Sequence, residues 1–102
     1  MAIVAVQIRR PLTGRYQEHV ARIREYKEIV EALGARVRLV SSQYSGRPQT
    51  TAPVTEFDDL AQFADVSTKL RASAAFQALG AKIEADPTSQ LLETSLGGDV
   101  EL

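Results

Sequence analysis

Apolar residues change their period several times along the chain, and each change marks an element. From Ile3 to Arg9 they alternate. Val4, Val6 and Ile8 fall on one face of an extended segment. Ile3, Ala5, Gln7 and Arg9 fall on the other, which turns polar towards its end. This predicts a strand over 3–9 that closes before Pro11, because proline brings no N–H to a ladder. Pro11-Leu12-Thr13-Gly14 reads as a turn. The spacing then opens to three and four. Tyr16, Val20, Ile23, Tyr26, Val30 and Leu33 form one stripe of a helix running to about Leu33, with Arg15, Glu18, Arg22 and Glu25 on its far side. Glu18–Arg22, Arg24–Glu28 and Lys27–Glu31 stand at i,i+4 and support it. Gly34 stands where a glycine ends a helix.

Period two returns over Arg36–Tyr44, where Val37, Leu39, Ser41 and Gln43 alternate with Arg38, Val40, Ser42 and Tyr44. After the polar loop 45–49, residues 51–57 read as a short third strand whose Pro53 predicts an edge position or a bulge. Asp58 and Asp59 are suited to cap the helix that follows. Leu60, Phe63, Ala64, Val66 and Leu70, then Ala74, Phe76, Leu79 and Ile83, carry its apolar face, with a break near Ser73 and an end at Asp86-Pro87. Gln90–Leu96 is the last strand, with Leu92, Thr94 and Leu96 on one face, before Gly97-Gly98 and an acidic tail. The order strand, helix, strand, strand, helix, strand predicts an α+β, ferredoxin-like split βαβ sandwich in which residues 1–102 form one domain and the crossovers are right-handed.

Composition narrows the chemistry. The 102 residues include no cysteine, which excludes disulfides, thiol nucleophiles and cysteine metal sites. A single histidine, His19, excludes a multi-histidine metal cage. The net charge of −1 conceals an asymmetry: residues 1–50 hold nine Lys/Arg against four Glu, and residues 51–102 hold three against nine acids. Either the two faces simply differ, or opposite patches help two copies pair. The basic residues are interleaved with Glu18, Glu25, Glu28 and Glu31 and form no dense run, so no nucleic-acid partner is expected. No apolar stretch approaches the ~20 residues of a membrane span. The opening apolar run has no basic segment before it and reads as a strand, so the expected location is cytoplasmic.

Two helices cover one face of a four-stranded sheet. The strands are apolar on both faces: Ile3 and Ala5 against Val4 and Val6, Val37 and Leu39 against Val40 and Tyr44, Leu91 against Leu92 and Leu96. A sheet wetted on one side alternates more cleanly. The pattern therefore predicts a homodimer through the sheet faces.

Several segments carry a family resemblance. They are the opening strand running into Arg10-Pro11-Leu12-Thr13-Gly14-Arg15, the helix end Leu33-Gly34-Ala35-Arg36-Val37, the stretch Glu56-Phe57-Asp58-Asp59-Leu60-Ala61-Gln62-Phe63, and Lys69 to Leu79. Together, over about residues 2–96, they resemble the dimeric α/β barrel superfamily, in its NIPSNAP-like and antibiotic-biosynthesis-monooxygenase-like branches. The resemblance implies a homodimer whose sheets form a barrel, with a cleft under the helices or within the barrel. Members include cofactor-independent oxygenases, isomerases, haem enzymes and proteins of unknown role, so the fold does not choose among activities. Haem ligation in this superfamily is expected from a histidine in the later helix. His19 lies early in the first helix, so no haem, and no other cofactor, is expected.

The candidate chemistry is sparse. His19 sits among Tyr16, Val20, Ile23 and Tyr26 in helical projection and is either a structural histidine or a general base. Tyr44, near the end of the second strand, is the better placed of the tyrosines to orient an oxyanion. Tyr26 either fills the core or meets a ligand. Arg9, Arg38 and Gln43 are polar strand residues suited to anchor an anionic group or to make salt bridges. Asp58 and Asp59 are explained by capping, Ser41-Ser42 lacks triad partners, and no phosphate loop is present, so no metal is expected. Two functions remain open. One is a cofactor-independent oxygenase or isomerase acting on an apolar metabolite, with His19 as base and Tyr44 and Arg9 orienting. The other is a non-catalytic dimeric ligand-binding or accessory protein.

Overall fold

The alternating and three-to-four-spaced segments fold as their periods require. A computed structural model describes residues 2–42 and 49–100. In chain order it holds β1 (Ile3–Pro11), α1 (Tyr16–Glu31), β2 (Arg36–Ser42), β3 (Thr50–Phe57), α2 (Leu60–Ala72), α3 (Ala74–Ala85) and β4 (Ser89–Gly98). The sheet order is β2-β3-β1-β4, every neighbouring pair antiparallel. This is the ferredoxin-like α+β fold.

Local chemistry sets the ends of the elements. Gly14 and Gly34 take φ of 76° and 104°, in the left-handed region that glycine enters without Cβ penalty, and so turn the chain into and out of α1. Asp59 caps α2 by accepting from the Gln62 N–H at 2.8 Å. The Asp58 carboxylate is not a capping group and accepts from Arg36 at 3.0 Å, while the Asp58 N–H donates to the Gln62 side chain at 2.5 Å. The break near Ser73 is complete. Ser73 adopts an extended conformation and accepts from the Phe76 N–H, so the expected second helix becomes two, α2 and α3. On α1, Lys27–Glu31 pairs as the spacing suggests (3.3 Å), whereas Glu18 turns to Arg15 and Arg22 turns to Asp86.

Three strand expectations need correction. β1 does not close before Pro11 but continues through it, with Arg10 opposite Gln90 and Pro11 opposite Ser89. The Leu12 N–H donates to Thr88 O on the β4 side, so the alternating N–H that Pro11 lacks would face the other way. There, β3 pairs no further than Arg9↔Thr51, and nothing is lost. Pro53 is not at an edge, because β3 lies between β2 and β1. The β1–β3 ladder instead runs from Ile3↔Phe57 to Val6↔Val54 and resumes at Arg9↔Thr51, leaving a gap beside Pro53. The one-residue shift lies in the β1–β4 pairing, between Ile8↔Glu93 and Arg9↔Leu91. Leu92 therefore does not continue the face that Thr94 and Leu96 share with Gln7 and Ala5.

Helices cover one sheet face. Ile3, Val37 and Phe57 from that face pack with Val30, Ala35 and Val66, and Ala5, Tyr26, Leu33, Phe63 and Leu70 surround them. This core occupies one end of the helix–sheet layer, where β1 begins and α1 ends. Alternation then puts Val4, Val6, Ile8, Ala52, Val54 and Val40 on the opposite, uncovered face. Glu56 on that face is bracketed by Arg38 at 3.2 Å and Arg36 at 3.7 Å. No described helix is long and apolar enough to cross a membrane.

Candidate functional site

The inward face of β1 changes from Ile3 and Ala5 to Gln7 and Arg9 along its length, and α1 changes in step from Val30 to Arg22 and His19. Side chains able to fill a dry layer run out, and a cleft of about 280 Å³ opens between the sheet, α1 and α3. Ile23, Phe76, Leu79 and Ile83 wall it from the helices, and Ala5, Pro53 and Thr55 from the sheet. Its helical side is tied in place at the surface. Lys82 holds Glu25 at 2.8 Å, and Asp86 receives two bonds from Arg15, at 2.9 and 2.7 Å, and a contact from Arg22 at 3.5 Å.

His19 is 1% exposed and lines this cleft. Its Nε2 lies 2.8 Å from Thr51 Oγ1, and Thr51 rather than a carboxylate is its partner among the described residues. Burial, and then the positive charge of Arg9, hold the imidazole below its ordinary pKa of 6.5. At neutral pH the ring is therefore uncharged, with one nitrogen to donate and one to accept. Arg9 stands opposite Thr51 in the sheet. It donates from Nε to Gln7 Oε1 (2.8 Å) and from Nη1 to Ser89 Oγ (3.1 Å), and burial lowers its pKa. No carboxylate among the described residues pairs with it. The Tyr26 hydroxyl and Thr55 Oγ1 are 3.0 Å apart on the cleft wall, and the Tyr26 and Phe76 rings meet at 6.4 Å.

Of the residues singled out from sequence, His19, Arg9 and Tyr26 are thus brought together. Arg38 is not: it lies on the uncovered sheet face with Glu56. Gln43 and Tyr44 lie outside the described residues. Thr51, Thr55 and Ser89 join the site without having been singled out. The two threonines share a face with Phe57 and carried a signal, polar groups at inward strand positions. Ser89 carried none, because its place depends on the β1–β4 register.

Fold and cleft together define a small ferredoxin-like protein with a ligand-sized, mostly apolar cavity beneath its helices. No family model and no curated protein matches the chain. Solved structures do share its fold. A NIPSNAP domain protein from Burkholderia xenovorans superposes with TM-score 0.73 at 20% identity, covering 96% of this chain and 94% of that one. A NIPSNAP family protein of unknown function from Agrobacterium tumefaciens gives 0.72 at 18% identity, over 94% and 86%. A single-site mutant of SnoaB, a cofactor-independent oxygenase from Streptomyces nogalater, gives 0.69 at 12% identity, over 99% and 95%. The chain has the fold of the NIPSNAP-like and monooxygenase-like proteins.

Proposed function

We propose that the protein is a small cofactor-independent enzyme of the oxygenase or isomerase class, acting on an apolar metabolite held in the cleft. The observation that carries this is a neutral, buried imidazole lining an apolar cavity beside an arginine with no carboxylate partner among the described residues. His19 is the proton acceptor, taking hydrogen from a carbon next to a carbonyl, and Arg9 receives the negative charge that develops on oxygen. Proton removal is the step common to isomerisation and to reaction of the resulting carbanion with dioxygen. The likeness of fold to an oxygenase that needs no cofactor supports the reading.

The test needs no knowledge of the natural substrate. With 2-tetralone in heavy water, the protein is expected to accelerate deuterium uptake at the α-carbon, and His19→Gln to lose about 10²–10⁴ of that acceleration while staying folded. Exchange no faster than buffer would favour the second reading, a non-catalytic ligand-binding protein. That reading is supported by the near-complete enclosure of His19 and the commitment of its Nε2 to Thr51.

We further propose, for the partner, a second copy. The uncovered face presents Val4, Val6, Ile8 and Val40 around Val54, more apolar surface than a wetted sheet carries. Light scattering on a sizing column should give about twice the 11.1 kDa chain mass, and a monomer mass at micromolar concentration would reject it.

A further inference from the structure

The charges around the cleft do not balance, and the imbalance describes what belongs there. Arg22 and Arg9 both line it. Arg22 is answered by Asp86 at 3.5 Å. Arg9 is held only by neutral partners, Gln7 and Ser89, and no Asp or Glu of the described residues lines the cavity. Those two partners use one N–H of Nε and one of Nη1. They fix the guanidinium plane, and three of its five N–H groups have no hydrogen bond to a side chain of the described residues. A half-buried cation is costly to keep without a counter-charge, and a guanidinium is matched in shape by a carboxylate. The neutral state of His19 adds no second charge. Around this single positive corner the walls are Ile23, Phe76, Leu79 and Ile83. A dry cavity of about 150 Å³ takes one benzene ring, and this one is nearly twice as large.

From these observations we infer that the cleft binds a monoanionic carboxylic acid, or its enolate equivalent, carried on a body of one or two fused rings, with the anion at Arg9 and the rings against Phe76 and Ile83. The inference rests on the reading of the cleft as the ligand site and adds the charge and size of what it takes. Gly80 provides an independent check of place. It stands on the α3 wall, and a Cβ there would meet nothing within 4 Å. Gly80 lies one turn from both Phe76 and Ile83 on the cleft-lining side of α3, so a leucine there has room at its Cβ and is expected to reach over the cleft.

The probes are 2-naphthoate and its neutral analogue 2-naphthamide, titrated calorimetrically into the wild-type protein. Naphthoate is expected to bind about tenfold or more tighter than the amide, since hydrogen bonds to charged groups exceed neutral ones by that much. Arg9→Gln should remove the preference, Arg9→Lys should restore part of it, and Gly80→Leu should weaken both probes. Equal affinity for acid and amide, with both still lost in Gly80→Leu, overturns the anion inference and leaves the cleft reading standing. Binding untouched by Gly80→Leu, or no binding of either probe at millimolar concentration, overturns both. The comparison of the two probes on the wild-type protein decides the charge even where an Arg9 variant folds poorly.

Discussion

Replacing Phe57 with alanine is expected to remove a large share of the stability of this protein. Phe57 ends β3 opposite Ile3, is 4% exposed, and meets Phe63 edge to face at 5.2 Å. It shares one cluster with Ile3 of β1, Val37 of β2, Val30 of α1 and Val66 of α2, so its loss leaves a cavity that several elements border and none can fill alone. Deleting a buried phenyl costs about 3–5 kcal/mol, against a total of about 5–15 for a domain. In a chain of this size that lowers Tm by roughly 15–30 °C. Phe76→Ala is the control. Its ring is only half-buried and borders the cleft, so its loss enlarges space that is already open and should cost distinctly less. Thermal unfolding followed by circular dichroism compares the two. A Phe57→Ala protein as stable as Phe76→Ala would show that the core is not centred where the packing places it.

The second large effect concerns His19 and Thr51. Both are buried, at 1% and 3% exposure, and each is the other's polar partner. His19→Leu orphans the Thr51 hydroxyl, and Thr51→Val removes the partner of Nε2. Each is expected to cost about 1–3 kcal/mol. Combined, they should cost less than their sum by at least about 1 kcal/mol, because the second change removes the group that the first left unsatisfied. Strict additivity in denaturant titrations would mean the contact contributes nothing.

The pH dependence has a definite sign. The folded imidazole is held below 6.5 by burial and then by Arg9, so the unfolded chain takes the proton first. The contribution of His19 is complete above about pH 6.5 and is lost as pH falls through the folded pKa. Asp86, lowered chiefly by its bonds from Arg15, and Glu31, lowered chiefly by the Val37 N–H, start from 3.8 and 4.5 and lose theirs further into acid. A stability loss beginning near pH 6.5 that persists in His19→Leu would assign it to other groups.

Much of this was legible in the chain. Period two and the three-to-four spacing located all four strands and α1, because side-chain direction follows from local backbone geometry. The same alternation placed Gln7 and Arg9 on one face. Pro53 misled because one missing N–H does not say whether a strand lies at an edge. The sheet tolerates it in a central strand by breaking the β1–β3 ladder beside it. Arg38 could not be assigned to a face until the register Arg38↔Val54 was known. The helical spacing marks His19 as a candidate but offers it no partner, since Arg15, Tyr16, Arg22 and Ile23 stand three and four residues away. Thr51, thirty-two residues away, became visible only across the helix–sheet interface.

By itself the amino-acid sequence determined the element types, the ferredoxin-like order and the absence of cysteine chemistry, all of which depend on neighbours a few residues apart or on composition. Only the tertiary structure decided that His19 and Arg9 share one cleft, that Arg22 is neutralised there and Arg9 is not, and that Arg38 lies on the other side of the sheet. Those facts depend on strand register and helix docking, in which one residue of shift moves a side chain to the opposite face.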